Sequence, residues 1–164
     1  MIKKSYEILN STSQFLNYNL LLLYGENFGL KKDIKESIKK TLKQKDSNIE
    51  FISLDESEVI NNEESFFNSV YSDSLFSSKK IITINNGTDK IINQTKYLVE
   101  KYPENVFLII FANILEKKSK LRNFFEKNTK TLCIPCYLDN YRDLQIIVVT
   151  ELKKCVKAAD TVWI

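Results

Sequence analysis

A chain of 164 residues with 43% hydrophobic and 12% aromatic residues can bury a sizeable core, which excludes a disordered chain and points to one globular domain. Its formal net charge is only +3 with both signs interspersed, so an extended nucleic-acid-binding stripe is not expected. Histidine is absent, which removes the commonest general acid–base group and the commonest metal ligand and counts against most hydrolase and metalloenzyme classes.

The basic start Met1-Ile2-Lys3-Lys4 is followed by no leader pattern, and Val106 to Ala112, the longest apolar run, is too short to cross a bilayer. With three cysteines, the reading is a reducing, cytoplasmic setting without a membrane. Leu20 to Tyr24, a run of four leucines and a tyrosine ending at Gly25, reads as a strand buried on both faces. Asn27 is placed to cap a helix in which Leu30, Ile34, Ile38 and Leu42 recur on one face, with Lys31, Lys35, Lys39 and Lys43 expected to face water. Ile49 to Leu54 reads as a second strand, and Glu63 to Tyr71 as a helix turning Phe66, Phe67 and Val70 inward.

Lys80 to Ile84 makes a third strand, stopped by the turn signal Asn85-Asn86-Gly87. Thr88 then caps a helix lined by Ile91, Thr95, Leu98 and Tyr102, which Pro103 ends. Val106 to Phe111 has the composition of a central strand, and a helix around Lys117 to Lys127 buries Leu121, Phe124 and Phe125. Thr131 to Ile134 is the fifth strand, and a last helix starts at Tyr141. Regular alternation of strand and helix predicts an α/β three-layer sandwich with a mostly parallel five-stranded sheet. Residues 1–140 form the domain, and 141–164 form a C-terminal helix that begins a second one.

In such a fold phosphate binds at the loop after the first strand. That loop aligns with a P-loop at Gly25 and Lys31, with Gly29 nearby, but Leu30 stands where the second glycine belongs and Lys32 where the Mg²⁺-binding hydroxyl belongs. Asn85 and Asn86 replace the acidic residues that would hold Mg²⁺. The loop therefore reads as a degenerate phosphate loop: a structural turn, or a phosphate grip without hydrolysis.

Cys133-Ile134-Pro135-Cys136 has the spacing of a redox dithiol or half a zinc site, but it sits at a strand end with neither histidine nor a second pair, and reads as buried thiols. No metal or other cofactor is expected. Lys117, Lys118, Lys120 and Arg122 form a basic helix face, solvated or in contact with DNA phosphate. Leu75 and Phe76 lie within a polar stretch with Ser74 and Ser77, and either pack in the core or anchor a partner.

Four collinear segments resemble the delta subunit of the DNA polymerase III clamp loader: Leu22 to Leu30, Ser74 to Lys80, Leu115 to Arg122, and Ile134 to Tyr137 with Arg142-Asp143-Leu144. The last of these is especially similar to alphaproteobacterial members. The resemblance implies an AAA+-like module that has lost ATP binding and has no catalysis of its own. It implies that Leu75 and Phe76 enter an apolar pocket of the sliding clamp, and it implies the loader's ATPase subunits, delta-prime and DNA as further partners. Family members continue into a helical domain and a collar, and Cys155 to Ile164 departs from their pattern, as a fragment or altered terminus would. A divergent nucleotide-binding protein and a thiol oxidoreductase using Cys133 and Cys136 are the alternatives.

Overall fold

The computed structural model describes residues 17–45, 48–72, 77, 79–138, 145, 148, 149 and 152. Five strands form the sheet: β1 (Leu20–Tyr24), β2 (Ile49–Asp55), β3 (Lys79–Asn85), β4 (Val106–Ala112) and β5 (Thr131–Pro135). Among the described residues five helices join them: α1 (Phe28–Lys45), α2 (Glu56–Asn61), α3 (Glu63–Tyr71), α4 (Ile92–Glu100), entered through a 3₁₀ turn at Asp89–Ile91, and α5 (Lys120–Lys127). The order across the sheet is β2-β3-β4-β1-β5, and every neighbouring pair is parallel.

Period-two alternation divides the apolar residues between two layers. Leu21, Leu23, Ile81, Ile109 and Ile134 pack with Ile34, Ile38 and Leu42 of α1 on one face. Leu22, Ile82, Ile84, Leu108 and Ile110 pack on the other with Val59 of α2, Phe66 and Val70 of α3, Leu98 of α4, and Leu121 and Phe125 of α5. The path of the chain explains this split. From β1 it crosses to the far edge strand β2 in one direction, over α1; every later crossover runs in the opposite direction, over the opposite face. Opposite directions on opposite faces are what a single crossover hand demands.

The differences from the expected elements are local. Helix α2 is additional: Asp55 at its start has Glu58 three residues later, and Glu58 Oε2 accepts the Asp55 backbone N–H at 2.7 Å. Helix α5 starts at Lys120 rather than Lys117, because Ser119 caps it and Asp89, from the 3₁₀ turn, accepts the backbone N–H groups of Lys120 and Leu121 at 3.0 and 2.9 Å. Burial pushes the Asp89 carboxyl up, but the bonds from Ser119, Leu121 and Lys120 outweigh it and hold the pKa below the ordinary value. The predicted helix from Tyr141 lies mostly outside the described residues; Gln145, Val148, Val149 and Leu152 are helical and exposed. Among the described residues no helix is long and apolar enough to cross a membrane.

Candidate functional site

The chain leaves β1 and β4 on opposite faces although these strands are neighbours, so the topological switch point lies between their carboxyl ends. That crevice is where ligands of open α/β sheets bind. Here a lysine closes it. Lys31, expected to face water, is instead 4% exposed, and its Nζ donates to Gly25 O at 2.8 Å and Ala112 O at 3.0 Å, bridging the ends of the two strands. The first turn of α1 projects it inward, and the carbonyls at the strand ends need a donor; burial lowers its pKa.

Three backbone donors of the same loop are engaged as well. Gly25 N–H donates to Asn113 O at 3.1 Å, Asn27 N–H to Cys136 O at 3.0 Å and Phe28 N–H to Glu26 O at 3.0 Å. Asn27 Oδ1 caps α1 as expected, accepting Leu30 N–H at 3.0 Å. Gly25 has φ +128, and a Cβ placed there would stand 2.1 Å from Cys136 O, so this glycine exists for the contact with the end of β5. Gly29 lies in the first turn of α1, where a Cβ would meet nothing closer than 3.6 Å. Asn85 donates to Ser53 Oγ at 3.1 Å and Leu54 O at 3.2 Å, and Asn86 to Asp55 Oδ1 at 3.0 Å. The two side-chain amides tie the end of β3 to the end of β2. Beside the filled crevice lies a shallow cleft of about 250 Å³ lined by Phe28, Lys31, Lys32, Lys35, Asn85 and Asn113, among others.

Cys133 and Cys136 are free thiols, both fully buried. A spacing of three in a period-two element sends them to opposite faces of the sheet: Cys133 packs in the layer of α2 to α5, Cys136 in the layer of α1. They cannot pair with each other or share a metal there, and no group of three or more metal-binding side chains occurs among the described residues. Burial pushes both thiols up to about 12. In a Cys155→Ser background, neither should react with a thiol reagent at pH 8 until the chain is unfolded; rapid native-state labelling would contradict this geometry. Unfolded thiols ionise near pH 9 and the folded ones near 12, so this contribution to stability is whole below pH 9 and falls as the pH rises towards 12.

The basic face divides. Lys117, Lys118 and Lys120 are exposed, with Lys118 2.9 Å from Glu116. Arg122 is turned inward: Nε donates to Glu126 Oε1 at 2.7 Å, Nη1 to Leu115 O at 3.1 Å, and the guanidinium lies 5.0 Å from the centre of the Tyr24 ring. The hydrogen bond to Glu126 raises its pKa further.

Leu75, Phe76 and Ser74 lie outside the described residues, and Ser77 is half-buried. Both flanks of that segment are held by hydrogen bonds. Tyr71, in the last turn of α3, donates through its hydroxyl to Lys101 O at 3.0 Å, and Lys80 N–H pairs with Asn105 O at 2.9 Å. A residue absent from the site expectations stands here too: Lys80, 3% exposed, whose Nζ donates to Ser69 O, Ser72 O and Ser72 Oγ. A lysine at the head of Ile81 to Ile84, in phase with the buried Ile82 and Ile84, was the one available signal.

Comparison with known proteins agrees with this architecture. The family model described as DNA polymerase III, delta subunit, matches residues 21–136. No curated protein matches the sequence. Among solved structures, the Bacillus subtilis DNA clamp loader delta protein (YqeN) superposes with a TM-score of 0.69 at 13% identity, covering 92% of this chain and 47% of that one. The chain thus spans about half the length of that protein. Saccharomyces cerevisiae RIF2 is a more distant likeness, with a TM-score of 0.43 at 15% identity over 83% of this chain and 61% of that one. With the family model covering most of the chain and the fold matching across the sheet, the chain belongs to the DNA polymerase III delta subunit family.

Proposed function

We propose that this chain is the clamp-binding module of a clamp-loader delta subunit: it binds the sliding clamp of the replicative polymerase, helps to open it, and leaves ATP hydrolysis to neighbouring subunits. The observation that carries the reading is the filled switch point. An α/β sheet of this kind offers its ligand crevice between β1 and β4, and here the Lys31 ammonium and the loop's own backbone contacts occupy it. A nucleotide phosphate entering there would have to displace a buried lysine from two carbonyls and break the contacts of the Gly25–Phe28 turn. Asn85 and Asn86 offer Mg²⁺ no charge.

The site that remains is the 73–78 segment, where Leu75 and Phe76, with Ser74 and Ser77, are the anchors assigned to the clamp's apolar pocket. Residues 1–140 act as this module, and 141–164 lead into the rest of the subunit. In a whole loader the ATPase subunits, delta-prime and DNA are the further partners, working in the cytoplasm. The exposed Lys117, Lys118 and Lys120 suit contact with phosphate; Arg122, engaged by Glu126 and Leu115, does not.

Capture of the cognate clamp by the purified chain tests the reading, and failure to bind at micromolar concentrations would overturn it. Calorimetry with Mg²⁺-ATP should give no binding heat. A micromolar, Mg²⁺-dependent isotherm would favour a divergent nucleotide-binding protein instead.

A further inference from the structure

We propose that the cleft beside the filled crevice, with the lysine flank of α1 that continues from it, is a second docking surface, for an acidic segment of another protein that also carries apolar side chains. The inference stands apart from the clamp-binding reading.

Positive charge is concentrated on this helix. Helix α1 has seven lysines against Asp33 and Glu36, a net of +5, whereas the whole chain sums to only +3. The cleft of about 250 Å³ is lined by Lys32 and Lys35 together with Asn113 and the rings of Phe28 and Phe111. Along the same flank, Lys35 Nζ lies 5.4 Å from the centre of the Phe111 ring, and Lys39 and Lys43 Nζ lie 5.0 and 5.2 Å from that of Phe51. Phe28 is 70% exposed and Phe51 41%, so ammonium groups and uncovered aromatic surface alternate. Lys35, Lys39 and Lys43 recur about 6 Å apart along the axis. Lys39 has Glu36 at 3.2 Å, but among the described residues Lys32, Lys35 and Lys43 have no carboxylate within 4.0 Å. Burial, and then the neighbouring Lys39, lower the Lys35 pKa, which an incoming carboxylate would relieve.

The surface fits a polypeptide better than a nucleic acid. A sugar–phosphate backbone is negative throughout and would meet Asp33 and Glu36 on the same helix. Base stacking would need the Phe51 ring, over which Lys39 and Lys43 already lie. A segment that alternates carboxylates with apolar side chains satisfies both features, its charges meeting the lysines and its apolar groups the rings. The chain itself supplies no such complement. Residues 1–16 hold two lysines and one glutamate. The acidic run from Asp55 to Glu64 is used locally: Glu56 accepts from Thr88, Glu58 from the Asp55 N–H and Glu63 from Gln94. The cleft lies at the carboxyl end of β3, about 20 Å along that strand from its amino end at Lys79, which leaves the amino end free for a different partner.

The probe is a fluorescein-labelled peptide alternating glutamate with leucine and phenylalanine, titrated with the full chain by fluorescence anisotropy at low and at physiological salt. A version with glutamine for glutamate and a short single strand of DNA are the comparisons. The acidic peptide should bind, more weakly as salt rises, and the glutamine version should not. Lys32→Glu/Lys35→Glu should weaken binding roughly tenfold, and Phe28→Ala about threefold. Lys96→Glu/Lys130→Glu, the same change of charge at exposed lysines elsewhere, should leave it within about twofold. If Lys32→Glu/Lys35→Glu does not fold, Lys32→Gln/Lys35→Gln replaces it, with a loss of about threefold expected. Absence of peptide binding, equal binding of the glutamine version, or an equal loss in the two charge-reversed variants overturns the proposal. So does DNA binding that disappears with Lys32 and Lys35, which would make the face a nucleic-acid contact, or a salt-sensitive dimer that disappears with them, which would assign it to a second copy. Capture of the clamp is scored separately and should survive Lys32→Glu/Lys35→Glu; its failure in the unaltered chain counts against the clamp-binding reading alone.

Discussion

Replacing Leu75 and Phe76 together by alanine is expected to weaken clamp affinity by about 2–4 kcal/mol, a factor on the order of 30 to 1,000, while the domain stays folded. Large apolar anchors that enter a pocket on a partner carry a disproportionate share of binding energy, because their whole apolar surface leaves water on association. Ser72 and Ser77 flank the pair with polar groups, and the chain on either side is held by Tyr71 and Lys80. The competing reading, core packing, makes the opposite prediction. Deleting two large buried side chains should destabilise the domain by roughly 2–5 kcal/mol for each, with affinity lost only because the protein unfolds. Both of the described core layers already have their helices: α1 against one face of the sheet, α2 to α5 against the other. Measuring clamp affinity and urea unfolding on the same double variant decides the matter. A stable variant with undiminished affinity removes the pair from the interface, and a strongly destabilised one returns it to the core.

Gly25→Ala should destabilise the fold by something on the order of 3–5 kcal/mol, as much as emptying a large core position. Two penalties coincide there. The backbone sits at φ +128, a region that L side chains rarely adopt, and the added Cβ would stand 2.1 Å from Cys136 O and 2.6 Å from its carbonyl carbon. Those are backbone atoms at the end of β5, fixed by Cys136 N–H donating to Tyr24 O and by Asn27 N–H donating to Cys136 O. Neither side can yield without breaking the junction of β1, α1 and β5. Gly29→Ala should have the opposite sign, about 0.5–1 kcal/mol stabilising, since Gly29 lies in α1 with room for a methyl group. Chemical denaturation of the two variants checks both, and equal behaviour would refute this account of the loop. If the glycines were retained for phosphate, neither substitution need change the stability of the nucleotide-free chain.

The sequence by itself determined the layered α/β architecture, because hydrophobic periodicity is a local signal: five apolar runs alternating with helix-period segments leave few ways to bury both sheet faces. It also determined that the phosphate loop is incomplete, since the identities of Leu30, Lys32, Asn85 and Asn86 are enough for that. Helix α2 was legible in principle from Asp55 and Glu58, though six residues give too short a period to register. The directions of individual polar side chains were decided only by tertiary structure. Lys31 looks like its neighbours Lys35 and Lys39 on a helical wheel, yet it turns inward because the carbonyls of Gly25 and Ala112, the latter 81 residues away, need a donor at the switch point. Arg122 leaves the basic face for Glu126 and Leu115, and Lys80 leaves solvent for the end of α3. In the same way, Cys133 and Cys136 look like one dithiol until the period-two geometry of β5 puts the sheet between them. Periodicity records which residues avoid water. A buried cation's partners are carbonyls that every residue possesses, so nothing in the residue types announces where it will go.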